Sequence, residues 1–110
     1  MIELTLNFHE EKEDNGEMKD VVTSKTYRQP VITGQHYRKL QEAIKDSQSL
    51  SQYEQEQLAV QYIIFFFGYK FTEEEFWNGI ELENFVSIYR DITSEVINKY
   101  NAGMNKLLKK

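Results

Sequence analysis

The residues best suited to chemistry in this sequence are two histidines and several serines and glutamates. A serine nucleophile needs a base within hydrogen-bonding reach. Ser47, Ser49 and Ser51 lie in cap or loop contexts, far in sequence from His9 and His36. The sequence contains no cysteine, which excludes disulfides, thiolate metal sites and cysteine nucleophiles. We therefore expect no nucleophilic catalysis.

Acidic clusters are the other candidates for catalysis or metal binding. Glu73, Glu74 and Glu75 follow Thr72, and a threonine three residues before a glutamate is the pattern of a helix-capping box, which accounts for them without a catalytic role. Residues 10–20 contain Glu-Asp-Asn-Gly but lack the ligand spacing and closing glutamate of a calcium loop. A glycine-rich phosphate-binding loop is also missing from the sequence. The sequence therefore predicts no enzyme, no metal site and no cofactor.

Size and hydropathy are those of a small globular protein. The chain has 110 residues, 40% hydrophobic and 28% charged, which fits one domain. Its longest apolar run, Tyr62 to Phe67, has six residues, against the roughly 18–20 that a membrane span requires. The sequence begins Met1-Ile2-Glu3, without the basic region of a secretory signal. We expect no membrane partner and a cytoplasmic location.

The net charge of −5 comes from one end of the sequence. Residues 1–20 carry seven acidic and two basic residues, whereas the remaining residues carry eleven of each. Nucleic-acid-binding domains usually present a basic face. Here the basic residues cluster only at Lys106, Lys109 and Lys110, which we interpret as a solvated tail. The composition therefore predicts no nucleic-acid partner.

The first part of the sequence predicts a β-hairpin. Residues 2–8 alternate apolar and polar side chains with the period of a half-buried strand. Residues 21–29 are rich in Val, Thr and Tyr, and Pro30 favours an extended conformation in the residue before it. Between these two segments, residues 9–20 are polar and acidic and include an Asn-Gly turn pair. We expect two strands joined by a long acidic loop.

From residue 33 onward the apolar spacing changes to that of helices. Thr33 or Gly34 begins the first helix, while Ser51 and Thr72 each stand three residues before a glutamate and begin two more. A last amphipathic helix is expected to end by Gly103. The four helices are predicted at about 33–47, 52–67, 73–79 and 81–101.

These elements together predict an α+β fold in a single domain, residues 1–103. The β-hairpin occupies residues 1–32 of it, and the helices occupy residues 33–103. A short basic tail, residues 104–110, is expected to fray.

Aromatic residues are the most unusual feature of the composition. The chain has seven Tyr, seven Phe and one Trp, many of them between Tyr62 and Trp77. One interpretation is that these residues form the core. The other starts from the apolar run of residues 62–67, which covers the whole circumference of a helix, so that some of it would be exposed. Exposed apolar surface on a small protein indicates a partner or an oligomer, and both interpretations stay open.

The segment Phe66 to Ile80, Phe-Phe-Gly-Tyr-Lys-Phe-Thr-Glu-Glu-Glu-Phe-Trp-Asn-Gly-Ile, resembles a known family. It is similar to the small tail assembly chaperones of long-tailed bacteriophages, which are encoded just upstream of the tape measure protein and are common in phages and prophages of Gram-positive bacteria. The family pattern is Phe-Gly-x-x-Phe-Thr, a short acidic helix, an Asp/Asn-Gly pair and an amphipathic helix. The segment Lys25 to Pro30 and a helix near Arg38 fit the same plan, so that the likeness covers about residues 2–100.

This resemblance implies a protein that acts by binding and is not an enzyme. Such chaperones bind the long, aggregation-prone tape measure protein in the host bacterial cytoplasm and keep it soluble until the tail tube polymerises around it. They leave before the tail is finished and are absent from the mature virion. In many phages a ribosomal frameshift produces a longer form that recruits the tail tube protein. The A-rich codons expected for Lys109-Lys110 would suit a slip site here.

The aromatic segment is the predicted partner-binding surface. We expect partner-facing residues among Phe67, Tyr69, Phe71, Phe76 and Trp77, because most of them lie at or beyond a helix end, where fewer side chains are needed for the core. A homo-oligomer is a further expectation. Two alternatives stay open: a structural tail or head-completion protein retained in the virion, and a small regulatory protein that binds nucleic acid, which the charge balance disfavours.

Overall fold

The computed structural model describes residues 2–29 and 31–108. Along the chain an antiparallel β-hairpin is followed by helices, which confirms the predicted α+β fold. The elements are β1 (Ile2–Asp14), β2 (Glu17–Gln29), α1 (Gly34–Ser47), α2 (Gln52–Phe66), α3 (Glu73–Gly79) and α4 (Leu82–Leu108).

The two strands are longer than the sequence predicted. β1 and β2 pair in register along all 13 residues of each strand, so the prediction of an acidic loop over residues 9–20 was wrong. Only Asn15 and Gly16 turn the chain, with φ of 53° and 81°, as a two-residue type I′ turn requires. Backbone pairing needs no apolar side chains. Residues 9–20 carry one apolar side chain, Met18, and therefore gave no alternating pattern.

Two helix starts confirm the predicted capping boxes. Ser51 Oγ accepts a hydrogen bond from the Glu54 N–H at 3.3 Å and begins α2. Thr72 Oγ1 accepts one from the Glu75 N–H at 3.1 Å, and Glu75 Oε1 accepts the Thr72 N–H at 3.0 Å. The acidic cluster at the start of α3 thus includes a residue that satisfies backbone donors, which a helix terminus would otherwise leave unpaired.

The last helix also differs from the prediction. Gly103 does not end it, because α4 continues to Leu108, and residues 104–108 are helical where a frayed tail was expected. A glycine ends a helix when it adopts a positive φ, and the glycines that do so here are Gly16 and Gly68. Gly103 keeps a helical backbone, at a cost of about 1 kcal/mol relative to alanine.

The core lies between one face of the hairpin and the helices. In β1 it takes alternate residues, since Leu4 and Leu6 are almost fully buried and point to the same side. α3 and α4 both lie beside β1. The molecule is elongated, with principal dimensions of 70 × 32 × 21 Å. The remaining core side chains are Leu40, Val60, Tyr62, Ile63, Phe66, Phe67, Phe71, Phe76, Phe85, Ile88, Ile92 and Val96.

Candidate functional site

Three of the five aromatic residues predicted to face a partner lie in the core. Phe67, Phe71 and Phe76 are 1%, 3% and 0% exposed, and the ring of Phe71 lies 6.1 Å from each of the other two. The segment after α2 also contributes side chains to the core, because it packs on the hairpin. There the ring centres of Tyr27 and Phe71 lie 4.8 Å apart. In this conformation these three side chains are covered by the protein's own residues.

Tyr69 is fully on the surface. Its side chain is 72% exposed, and its ring contacts Phe65 at 6.0 Å. It follows Gly68 in a Schellman motif, in which the Tyr69 N–H donates to the Ile64 carbonyl oxygen at 2.9 Å. Its φ of 58° is left-handed, a conformation that costs most residues roughly 1–2 kcal/mol. A bulky exposed aromatic residue therefore occupies a backbone position that suits glycine or asparagine.

Trp77 is the second exposed member of the aromatic set. It is 38% exposed and packs one side of its indole on Phe85, at 5.0 Å between ring centres. Leu82 and Val86, one turn apart on α4 and on either side of Phe85 in sequence, are 78% and 63% exposed. Trp77 thus lies at the junction of α3 and α4, where α4 also exposes two apolar side chains.

A third apolar surface lies on the last three turns of α4. Along this helix, every fourth residue from Ile92 lies on nearly the same face. Ile92 and Val96 are buried at 0% and 1%, but Tyr100, Met104 and Leu108 are 42%, 37% and 74% exposed. Ile97 and Leu107 flank this row and are also exposed. We call Ile97, Tyr100, Met104, Leu107 and Leu108 the distal α4 face.

Tyr100 anchors the distal α4 face to the body of the protein. The ring of Tyr100 stacks on that of Tyr37 in α1, with 4.2 Å between ring centres and 6° between planes. All described residues from Ile97 onward are exposed. Sequence reasoning missed this face because it ended the helix at Gly103. The signal that would have found it is the spacing of Tyr100, Met104 and Leu108.

A shallow groove between α1 and α2 adjoins Tyr69. Its volume is about 260 Å³. The side of the groove formed by α2 carries Leu58 and Phe65, and the side formed by α1 carries Lys39, Glu42 and Asp46. The groove therefore combines apolar residues with charges of both signs.

His36 is a buried histidine with a structural role. It is 7% exposed, and its Nδ1 accepts the Thr33 N–H at 2.9 Å, which caps α1. Its carbonyl oxygen accepts the hydroxyl of Tyr62 at 2.6 Å. Burial lowers the pKa of His36 and raises the pKa of Tyr62. Because its ring nitrogen is used as a cap, His36 acts in folding.

Within residues 2–29 and 31–108, His, Asp and Glu side chains form no group of three that could hold a metal ion. Over the same residues, no helix combines the length and hydrophobicity needed to cross a membrane.

Comparison with known proteins gives a family. A family model with the description "Phage tail chaperone protein" matches residues 1–110, the whole chain. No curated protein and no solved structure matched the chain.

Proposed function

The chain belongs to the phage tail chaperone protein family, and from this premise we propose that it binds the tape measure protein of its phage and keeps it soluble during tail assembly. The tape measure protein is a long helical chain. A binding protein for such a chain needs apolar surface that offers many similar, non-directional contacts, as in the recognition of a helix by a hydrophobic groove or face.

The observation that carries this proposal is the distal α4 face. Exposed apolar side chains scattered singly are normal on a protein surface, but here five of them share one side of a helix end. A second helix laid against this face would bury Met104, Leu107 and Leu108 in the way that Ile92 and Val96 are buried closer to the body. Methionine suits such a surface because its flexible side chain adapts to different partners.

Tyr69 and Trp77 supply further contacts in this proposal. Both are aromatic, partly or fully exposed and of the residue types that contribute most to binding energy at interfaces. The left-handed backbone of Tyr69 supports a role outside folding, because strained conformations that persist tend to lie at functional positions. Phe67, Phe71 and Phe76 hold the loop and helix that carry these two residues.

The remaining parts of the proposal follow from the same role. The protein acts by binding and without catalysis, works in the host bacterial cytoplasm and is absent from the mature virion. A longer frameshifted form would add the contact to the tail tube protein.

Co-expression with the tape measure protein tests the proposal. We expect the tape measure protein to be insoluble alone and to become soluble and co-purify when this chain is present. Mass spectrometry of purified virions separates the two roles in the tail: a chaperone is missing from particles, and a structural component is present in stoichiometric amount. Unchanged solubility together with presence in virions would refute the proposal.

A further inference from the structure

β2 forms an open edge of the sheet. On the outer side of β1, Gly79 of α3 approaches the backbone of Asn7, and α4 also packs along β1. β2 pairs with β1 and with no other described strand. Every second residue from Met18 to Arg28 is exposed. An open edge presents a row of backbone N–H and C=O groups to which another strand can add.

The turn determines which backbone groups of β2 point away from β1. Next to a two-residue turn, Asp14 and Glu17 form a directly hydrogen-bonded pair, and such pairs recur at every second position. The residues between them direct their N–H and C=O groups outward. The same rule directs Asn7 outward on β1, where its N and O atoms do meet Gly79. The outward residues of β2 are Met18, Asp20, Val22, Ser24, Thr26 and Arg28.

These outward residues can pair with those of a second copy in few registers. In an antiparallel pairing centred on Ser24, Asp20 lies opposite Arg28 of the second copy, and symmetry repeats this ion pair. On the other side of the sheet, Val21 lies opposite Tyr27 of the second copy. About ten backbone hydrogen bonds would form, two for each directly bonded pair, and opposite charges placed across strands stabilise the pairing.

The neighbouring registers are less favourable. A pairing centred on Val22 sets Lys19 opposite Lys25 of the second copy. One centred on Lys25 sets the Lys25 side chains of the two copies opposite each other. Like charges directly opposite are destabilising. A pairing centred on Thr23 forms no ion pair between directly opposite residues. Among the four registers centred on residues 22–25, the charges therefore select the one centred on Ser24.

From this edge and its charges, we propose that the chain forms a symmetric dimer by antiparallel pairing of β2 with β2 of a second copy, centred on Ser24, which makes one four-stranded sheet. This pairing also sends the acidic turns of the two hairpins to opposite ends of the sheet, so that their negative charges stay apart. The proposal stands on the hairpin and is independent of what the helices bind.

Substitution at Ser24 tests the backbone pairing. Ser24→Pro removes an outward N–H without removing a hydrogen bond to β1, and proline is tolerated in this way on edge strands. Ser24→Ala is the matched control, because it also loses the hydrogen bond that Ser24 Oγ donates to Asn7 Oδ1 but keeps the N–H. In sedimentation velocity over a concentration series, we expect the proline variant to weaken dimerisation by at least about tenfold and the alanine variant to match the wild type.

Charge exchange tests the register and remains informative if Ser24→Pro fails to fold. Asp20→Arg and Arg28→Asp each set like charges opposite one another, and the double variant restores the pair with its signs reversed. We expect each single variant to weaken dimerisation and the double variant to recover it. Arg28 also pairs with Glu3 at 2.8 Å within one chain, and the double variant does not restore that pair. Recovery of dimerisation in the double variant therefore reports the contact between copies and not an effect inside the hairpin.

Amide hydrogen exchange gives the positive signature. In the dimer, the N–H groups of Val22, Ser24 and Thr26 should become protected as protein concentration rises. A wild type that stays monomeric at its highest soluble concentration would overturn the proposal, as would a dimer unaffected by Ser24→Pro and by the charge variants. Protection of these amides only when the tape measure protein is added would assign the edge to a strand of that partner instead.

Discussion

Gly79, the last residue of α3, lies directly against the backbone of Asn7 in β1. A β-carbon placed on Gly79 would be 2.7 Å from the Asn7 carbonyl oxygen and 3.1 Å from its nitrogen. Contacts below 3.0 Å of this kind require the backbone to shift. The glycine of the Asn78-Gly79 pair is therefore needed for the hairpin and the helical part to pack together.

Gly79→Ala should destabilise the protein by about 1–3 kcal/mol, the usual cost of overpacking a tight contact. Gly103→Ala is the matched control, because its β-carbon would meet open space in α4, and it should stabilise the protein by about 0.5–1 kcal/mol. Urea denaturation of the two variants and the wild type measures both changes. Equal stability of all three proteins would contradict the close packing of α3 on β1.

Tyr69→Gly should separate binding from folding. Glycine removes the roughly 1–2 kcal/mol cost of the left-handed conformation, which offsets the lost contact with Phe65, so that stability should stay within about 1 kcal/mol of the wild type. Affinity for the tape measure protein should fall about tenfold or more. Tyr53→Ala, which removes a tyrosine of similar exposure (69%) from the opposite end of α2, should leave affinity unchanged. Unchanged affinity of Tyr69→Gly would remove Tyr69 from the binding surface.

Trp77→Ala should weaken partner binding more than it lowers the melting temperature. The indole is partly exposed, so its removal should cost less than the 3–5 kcal/mol typical of a buried aromatic residue, about 1–2 kcal/mol. An interface tryptophan commonly contributes 2 kcal/mol or more. Calorimetric titration and thermal unfolding of the same preparation supply the two values. A large loss of stability with affinity intact would assign Trp77 to the core alone.

His36 should make stability depend on pH. Burial lowers its pKa in the folded state below the ordinary value of about 6.5, so the unfolded chain takes up the proton first on acidification. The free energy of unfolding should therefore fall as pH decreases through about 6.5, until the folded-state pKa is passed.

His36→Gln isolates this effect, because glutamine can still accept the Thr33 N–H as a capping residue. We expect the wild type to lose more stability than this variant between neutral and mildly acidic pH, measured by urea denaturation at each pH. Identical pH profiles for the wild type and His36→Gln would contradict the account.

The sequence predicted those elements whose signals are local. Residues 2–8 alternate clearly because Leu4 and Leu6 face the core, and the capping boxes at Ser51 and Thr72 need only residues three positions apart. Residues 9–20 carry one apolar side chain, Met18, and so show no alternation, although the Asn15-Gly16 pair among them predicted the turn.

Exposure of individual aromatic residues could not be predicted in the same way. Phe67 and Phe71 lie beyond α2, and their burial depends on the hairpin, which is distant in sequence. Tyr69, between them, is exposed because its backbone turns in the left-handed region after Gly68. The spacing of these residues does not predict which of them is exposed, because their exposure depends on how the loop packs on Tyr27.

Binding of the tape measure protein by the distal α4 face is the central claim, and one pair of variants tests it directly. Met104→Glu with Leu108→Glu places two negative charges on this face. Asn98→Glu with Ala102→Glu adds the same charge at the same spacing on the opposite side of α4. We predict that, in co-expression, the first pair abolishes solubilisation and co-purification of the tape measure protein while the second pair behaves as the wild type. Solubilisation by the first pair equal to that by the second would contradict the claim.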